Sequence, residues 1–541
     1  MASFVFSDWP PHLTDTQQSH LTQLATTYAL AHGLLYLPPS SSSSTPAPTS
    51  AIHAPLSLFP SPFPRSLFQN ALRLQKIYNV LYARIALDEE FLDSVMGEVA
   101  QVDEFTGQIW RSWKTLRDEG ITQARYDTIQ DYHLGIFRAD YLLHAPKGST
   151  VPISLKQVEF NTISSSFGAL SDRASSLHNY LLDATDYFGL SPHLIKDNLP
   201  SNGATSTVVE GLAAAHKAYG AHDAYILFVV QPGERNVFDQ RWLEYELLER
   251  HNIHVVRQTF DDLLTNASLS PSRVLTLRNA LPSSTSGSSD TIEVSVVYYR
   301  AGYTPKDYPT SSHYALRETL SRSRAINCPT LALQLAGGKK VQQVLTKEGV
   351  LERFLLQSPK HTGTETAEAA AAAAAHSSGP EEFTPEDLAL IRSTWVDMWC
   401  LSDPGPPDGV TQALEHHASL VLKPQREGGG NNVYHSSIPS FLSSLPAFAL
   451  PAWIAMRLIE PPQNLGGYLV RAGSGESNAA RKDVVSELGV FGWALFGGPR
   501  KEGGVVRQGD GGWLVRTKGR ESDEGGVAVG FSVLDSILLV D

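Results

Sequence analysis

Cysteine is nearly absent: Cys328 and Cys400 are the only two in 541 residues. That excludes a disulfide framework and a zinc site built from four thiolates. No run reaches the ~18 apolar residues that a membrane-spanning helix needs. Basic charge is short as well, with 43 Lys+Arg against 56 Asp+Glu and a net charge of −13, where a nucleic-acid binder would show a basic face or stripe. The opening residues, MASFVFSDWPPHLTD, lack the basic stretch and apolar core of a signal peptide. Three chemical signatures are missing too. There is no G-x-x-x-x-G-K-[ST] loop, no G-x-S-x-G elbow and no G-x-G-x-x-G after a strand, so neither Walker-type phosphate binding, serine hydrolysis nor dinucleotide binding is indicated. The expectation is a soluble, cytoplasmic protein with no nucleic-acid or membrane partner.

What is present is an ordinary globular composition, 42% hydrophobic and 18% charged, over a length that makes three to four domains' worth of chain. Residues 39–49 and 283–289 are Ser-rich, and 362–380 carries a run of alanines. Such stretches bury little apolar surface and read as insertions. Between them, apolar residues at helical spacing (Phe68, Leu72, Leu74, Ile77, Leu81, Ile85) predict packed helices over 66–118. Short β-branched runs at 224–231, 253–258 and 293–299 alternate with helical segments such as 240–251, the pattern of βαβ units on a parallel sheet. The class is α/β.

Three constellations carry chemistry. In Gln157-Val158-Glu159-Phe160-Asn161, strand alternation puts Gln157, Glu159 and Asn161 on one face and Val158 and Phe160 in the core. A carboxylate beside an amide oxygen suits a hard cation such as Mg²⁺, although alone it reads more readily as an ordinary solvated strand face. Next, a strand ending at Lys423 is stopped by Pro424 and runs into Gln425, Arg426, Glu427, Gly428, Gly429, Gly430, Asn431 and Asn432. Glycine-rich backbone can bring several N–H groups onto phosphate oxygens, with Lys423 as a point charge and Glu427 as a metal ligand, although a bare run of three glycines reads as well as a flexible turn. Third, Arg516 and Lys518 share a strand face ahead of the flexible Gly525–Gly530 stretch, which fits a doubly anionic substrate under a lid, although alone it reads better as a charged strand end and a hairpin.

At these residues the sequence resembles a known family. KPQREGGGNN (423–432) is similar to the phosphate-binding loop of eukaryotic-type glutathione synthetases, which are ATP-grasp ligases. Further similar segments run in family order: LFPSPFPR (58–65), FRADY (137–141), VEFNTISSSFG (158–168), ERNVFDQR (234–241), YYRAGY (298–303), QLAGGKKVQQ (334–343), SELGVFG (486–492) and RTKGRESDEGGVAVG (516–530). The resemblance implies an ATP-grasp fold with a parallel-sheet substrate-binding domain at 220–337, between an N-terminal part at 1–219 and a C-terminal part with a lid at 338–541. It implies ligation of γ-glutamylcysteine and glycine through an acyl phosphate, with ATP as co-substrate, Mg²⁺ as cofactor and a homodimeric assembly. It also implies a metal held by Glu159, Asn161 and Glu427. Catalytic cations would be Arg516, Lys339 and Lys423. Nucleotide contacts would be Glu159, Lys339, Lys423 through Asn432, Tyr434, the hinge Met456, Arg457, Leu458 and Ile459, and then Glu487, Lys518 and Glu524. The peptide and glycine side would draw on Arg138, Ile163, Ser164, Ser165 and Ser166. It would also use Glu234, Arg235, Asn236, Gln240, Arg300, Ala301, Gly302, Tyr303, Arg516, Val527 and Ala528.

The chain departs from the family pattern at four places. Arg457-Leu458 stand where Glu-Lys is common, Glu524 where Asp is, Ala301 where some members have an acid, and His435 where glycine follows the phosphate loop. None removes a metal ligand or a guanidinium, so an active enzyme is expected. The alternatives are a related ligase adding β-alanine or serine, and a catalytically silent glutathione- or nucleotide-binding protein.

Overall fold

The computed structural model describes residues 4–39, 46–119, 132–148, 150–278, 291–356, 383–403, 408–427, 430–472, 481–498, 504–522, 525–527 and 530–541. The Ser-rich segment at 283–289, most of that at 39–49 and the alanine tract at 362–380 lie outside the described residues, as do Gly428, Gly429, Glu524 and Ala528. The class is mixed α/β with several sheets.

A seven-stranded sheet forms the centre. Its spatial order is Gly466–Val470, Leu56–Ser57, Ser532–Asp535, Val505–Gly519, Arg481–Gly497, Tyr132–His144, Ser154–Asn161. Neighbours are antiparallel except Leu56–Ser57 with Ser532–Asp535. Alternation along its two longest strands feeds a core on each face. Leu488, Val490, Trp513 and Val515 pack on one side with Phe68, Ile77 and Leu81 of the helix Arg65–Leu87. Phe491, Trp493, Leu495 and Leu514 pack on the other with Leu170 of Gly168–Thr185 and Val208 and Leu212 of Ala204–Tyr219. Where both faces are covered, over the middle of these two strands, the residues are apolar; polar residues return at their open ends, at Arg481 to Asp483 and at Arg507 to Asp510.

The helices expected over 66–118 are three: Arg65–Leu87, Glu89–Val102 and Glu104–Asp118. Asp88 and Asp103 separate them, each accepting a backbone N–H of the next helix, from Phe91 at 2.9 Å and Thr106 at 2.8 Å. A second sheet pairs Val255–Gln258, Tyr225–Val229, Thr291–Tyr299 and Ile326–Cys328 in parallel, with Leu275–Arg278 and Ala267–Leu269 added antiparallel. The helix Val237–His251 makes the crossover between the first two of these strands in sequence. The third sheet is small and antiparallel: Met398–Cys400, Trp453–Arg457, Leu420–Pro424 and Val433–Tyr434. It faces the site across from the large sheet.

Strand alternation misassigned two neighbouring positions, Gln157 and Val158. A bulge between Asp140 and Tyr141 sets Asp140 opposite Glu159 and Tyr141 opposite Gln157, leaving Val158 as the extra residue. Gln157 is therefore buried away from Glu159, accepting from Tyr78 Oη at 3.1 Å and Trp395 Nε1 at 3.2 Å. Val158 lines the cavity instead. Phe160 is in the core as expected, stacked on Tyr82 with centroids 3.9 Å apart.

Candidate functional site

Between the large and the small antiparallel sheets lies a cavity of about 910 Å³. The large sheet gives it Arg138, Glu159, Asn161, Glu487, Arg516 and Lys518; the small sheet gives Val421, Lys423, Tyr434, Met456 and Arg457. Leu458 and Ile459 continue the hinge, and the loop after Pro424 contributes Arg426, Glu427, Asn431 and Asn432. Ile163 through Ser166, Tyr303 and Val527 complete the far end. A volume of this order accommodates a drug-sized or larger ligand.

Lys339 is the electrostatic centre. It opens the short helix Lys339–Leu345 and is only 3% exposed. Its Nζ donates to Glu159 Oε2 at 2.9 Å and to Glu427 Oε1 at 3.0 Å, joining a strand of the large sheet to the loop after Pro424. Burial opposes the ammonium, but these two carboxylates outweigh it and hold the lysine above its ordinary range. Burial likewise opposes charge on Glu159, yet Lys339, Lys423 and Arg516 hold that carboxyl well below the usual carboxylate range. For Glu427 burial wins, and its carboxyl is pushed up despite Lys339. Lys423 Nζ donates to the Val158 carbonyl at 3.1 Å, and burial lowers its affinity for a proton. Two carboxylates within reach of one ammonium form a pair that a divalent cation could also bridge.

Asn161 completes that donor set. Its Nδ2 donates to the Arg138 carbonyl at 3.1 Å and to Asp140 Oδ2 at 3.0 Å. Both partners are pure acceptors, so the amide oxygen is the group left to face a cation. Glu487 pairs with Arg516 across the hairpin, where the two are directly opposed in register. Asp140, one strand further, accepts from both Arg138 and Arg516. Spacing alone had not singled it out, although Arg138 and Asp140 stand two apart on a strand and so share a face.

The serine loop is built from beneath. Arg300, 3% exposed, donates through Nη1 to the Ser165 carbonyl at 2.8 Å and through Nη2 to Ser166 Oγ at 2.9 Å. Asp239 accepts the backbone N–H groups of Phe167 and Ala169 at 2.8 and 2.9 Å, tying the loop and the start of Gly168–Thr185 to the helix Val237–His251. Asp239 too was missed, because its partners are some 70 residues away. Glu234, Arg235, Asn236, Gln240, Arg300, Ala301 and Gly302 do not line the cavity, nor do Pro424, Gln425 and Gly430. Glu234 accepts from the Asn236 N–H at 2.7 Å and from Gln240 Nε2 at 3.3 Å. Arg235 donates to the Leu37 carbonyl at 3.0 Å. Gln425 accepts the Lys340 N–H at 3.0 Å, bracing the helix that presents Lys339.

The departures have local explanations. Arg457 turns outward, with Nε 2.9 Å from Asp397. His435 has a φ of +48°, the left-handed region that favours the glycine common there. Cys328 is buried and its thiol is pushed up by that burial, whereas Cys400 Sγ meets Lys340 Nζ at 2.5 Å. Among the described residues, no group of three or more His, Cys, Asp or Glu is placed to hold a metal, and no helix is long and apolar enough to cross a membrane.

A model of the family described as "Eukaryotic glutathione synthase, ATP binding domain" matches residues 15–539. The chain is 36% identical to the glutathione synthetase large chain of Schizosaccharomyces pombe, covering 97% of this chain and 98% of that one. It is 34% identical to the glutathione synthetase of Mus musculus, covering 98% and 99%, and 34% identical to a chloroplastic glutathione synthetase of Arabidopsis thaliana, covering 98% and 86%. Among solved structures, the apo form of a glutathione synthetase-like effector from Globodera pallida superposes with a TM-score of 0.69 at 23% identity over 98% of both chains, a likeness of fold.

Proposed function

The chain belongs to the eukaryotic glutathione synthase family, and from that premise we propose how its cavity performs the family's reaction. It is an ATP-dependent ligase that joins γ-glutamylcysteine to glycine, giving glutathione, ADP and phosphate. We read the fold as ATP-grasp, with the nucleotide clasped between the small sheet and the large one and a substrate-binding unit at 220–337 set between parts 1–219 and 338–541. The observation that carries this reading is the ammonium of Lys339 held between Glu159 and Glu427, in a cavity that Lys423, Arg138 and Arg516 also reach.

Glu159, Asn161 and Glu427 would hold Mg²⁺, which takes oxygen ligands and needs only one or two carboxylates when substrate phosphates share it. When bound, it neutralises phosphoryl charge. The protein's own groups do the rest. Lys339 and Lys423 meet the phosphates as point charges. Arg138 orients the peptide's carboxylate, since a guanidinium binds one bidentately. The cysteinyl carboxylate attacks the γ-phosphorus and ADP leaves as the bond to the bridging oxygen breaks, Arg516 stabilises charge on the transferring group, and glycine's amine then attacks the acyl carbon, expelling phosphate and losing a proton as the amide forms. The hinge Met456 to Ile459 would grip adenine by its backbone, and Tyr434, Glu487, Lys518 and Glu524 would complete the nucleotide contacts. Tyr303 lines the cavity and would contact the peptide, while Glu234, Asn236, Gln240 and Arg300 through Gly302 stand outside that lining and would brace this wall, with Val527 and Ala528 over glycine. We also read the enzyme as cytoplasmic, in keeping with two free, buried thiols, and as a homodimer by its family.

The test is ADP release by purified protein with Mg²⁺-ATP and γ-glutamylcysteine, with and without glycine. Release that requires both, with glutathione as product, is expected. Release with β-alanine or serine in place of glycine would change the acceptor, and no release with any acceptor would point to a silent binder.

A further inference from the structure

We infer that Asp140 is a positioning residue for the ligase reaction, a buried carboxylate that orients the peptide-side guanidinium, the phosphoryl-side guanidinium and the cation-side amide together. It rests on the site reading proposed above. Asp140 is fully buried. Its Oδ1 accepts from Arg138 Nε at 2.6 Å; its Oδ2 accepts from Arg138 Nη2 at 2.8 Å, from Arg516 Nη2 at 3.0 Å and from Asn161 Nδ2 at 3.0 Å.

Each contact fixes what its partner can offer the cavity. Arg138 commits its Nε and Nη2 edge to Asp140, so Nη1 is the end directed past the Ser166 carbonyl, 3.4 Å away. Arg516 places Nη2 between Asp140 and Glu487, which leaves Nε and Nη1 for a ligand. Asn161 gives its amide hydrogens to Asp140 and the Arg138 carbonyl, which turns its oxygen toward the cation position. Both oxygens of the carboxyl are used as acceptors by these four donors. An amide of the same shape has one acceptor oxygen, and its own N–H groups would confront donors.

A second observation comes from the neighbouring strand. Gly489 is the residue directly opposite Asp140. A Cβ there would stand 2.6 Å from Asp140 Oδ1 and 2.8 Å from Arg138 Cδ. Gly489 is not among the glycines with positive φ, so its backbone does not call for glycine. The space does, and the pair occupies it.

The experiment is steady-state kinetics on full-length Asp140→Asn, varying γ-glutamylcysteine, ATP, glycine and Mg²⁺ separately, with a melting curve beside it. Misplacing reacting groups by about 1 Å loses on the order of a hundredfold in rate, so kcat should fall by about that factor. The KM for γ-glutamylcysteine should rise about fivefold or more while the KM for ATP stays within about twofold, and half-saturating Mg²⁺ should rise, because these report separate binding steps. Turnover within about threefold of the parent, or equal worsening of both KM values, would overturn the inference. If Asp140→Asn does not fold, Gly489→Ala decides, since it keeps every group and only crowds the carboxylate: a peptide-selective KM rise supports the role, and unchanged kinetics overturns it. Arg138→Ala and Arg516→Ala separate the two levels. Full activity in both would sink the site reading itself, whereas their loss beside an unimpaired Asp140→Asn would sink only this inference.

Discussion

Replacing Lys339 with methionine keeps the length and apolar stem of the side chain and removes one charge from the middle of the site. In the structure that charge lies 2.9 Å from Glu159 and 3.0 Å from Glu427. At an effective dielectric near 20, each contact is worth about 5 kcal/mol of Coulomb energy, against a desolvation penalty of several kcal/mol for the buried ammonium. Removing one partner of a buried ion pair generally costs about 3–5 kcal/mol, because the other charge stays behind without compensation. Here two carboxylates stay behind, each with side chains about a quarter exposed, so water recovers part of the loss and about 3 kcal/mol is expected. Lys339→Met should therefore unfold at a clearly lower temperature or denaturant concentration than the parent.

The deficit should shrink when a divalent cation is added. Mg²⁺ with a non-hydrolysable ATP analogue would bring positive charge back between Glu159 and Glu427, so the variant's melting temperature should rise more on addition than the parent's does. Turnover should nevertheless stay low, by about 10²–10³-fold, the range for losing one preorganised stabiliser of developing charge. The assay is paired: thermal melts with and without Mg²⁺ and analogue, and ADP release at saturating substrates. A variant that melts with the parent in the absence of Mg²⁺ would refute the counter-charge role of Lys339. A variant that loses stability but turns over normally would refute its role at the phosphates.

Asp535 is a buried carboxyl held up to about 7 by burial, against hydrogen bonds from Thr517, Ser61 and the Ser536 N–H. A raised carboxyl keeps its proton in the folded state, so its stability contribution is full below the ordinary value near 4 and falls by about 1.4 kcal/mol per pH unit up to about 7. Asp535→Asn should therefore gain on the parent between pH 4 and 7 in urea-unfolding midpoints; parallel pH profiles would refute the shift. Gly512 has a φ of +72°, and a Cβ there would stand 2.0 Å from the Ala204 backbone nitrogen. Gly512→Ala combines backbone strain with a collision against the start of a helix and should cost about 3 kcal/mol or more, read from the same midpoints. Arg457→Glu removes an exposed ion pair with Asp397 and a distant cation–π contact with Trp399, so the melting temperature should barely move. If adenine is gripped by backbone, the KM for ATP should also stay within about threefold, and a larger rise would give the Arg457 side chain a place in binding.

Local pattern was enough wherever a residue's role follows from its own strand. Arg516 and Lys518 flank Thr517, which is buried against Asp535 while the two cations face the cavity, as period-two alternation requires. Lys423 stands near the end of its strand, which runs one residue past the expected stop to include Pro424, and Glu159 and Asn161 share a face for the same reason. Alternation failed at Val158, where a bulge adds a residue that no hydrophobicity pattern encodes, and Gln157 went into the core with it. The remaining features are long-range. Lys339 lies 88 residues from Glu427, and only chain topology brings them together; the family resemblance supplied that pairing of roles, not spacing. Asp239 holds the serine loop across about 70 residues, so nothing near it in sequence marks it. Asp140 is the instructive middle case. Its two-residue offset from Arg138 was visible, but an Arg-x-Asp on a strand is ordinarily a surface pair. What changes its meaning is full burial, a third and fourth donor arriving from Arg516 and Asn161, and a glycine opposite that leaves room for them. A buried carboxylate surrounded by donors on three strands is favourable only as a complete set, because each missing partner leaves charge uncompensated. The same completeness makes it sensitive to substitution: shifting any one member changes what the other three present to the substrates.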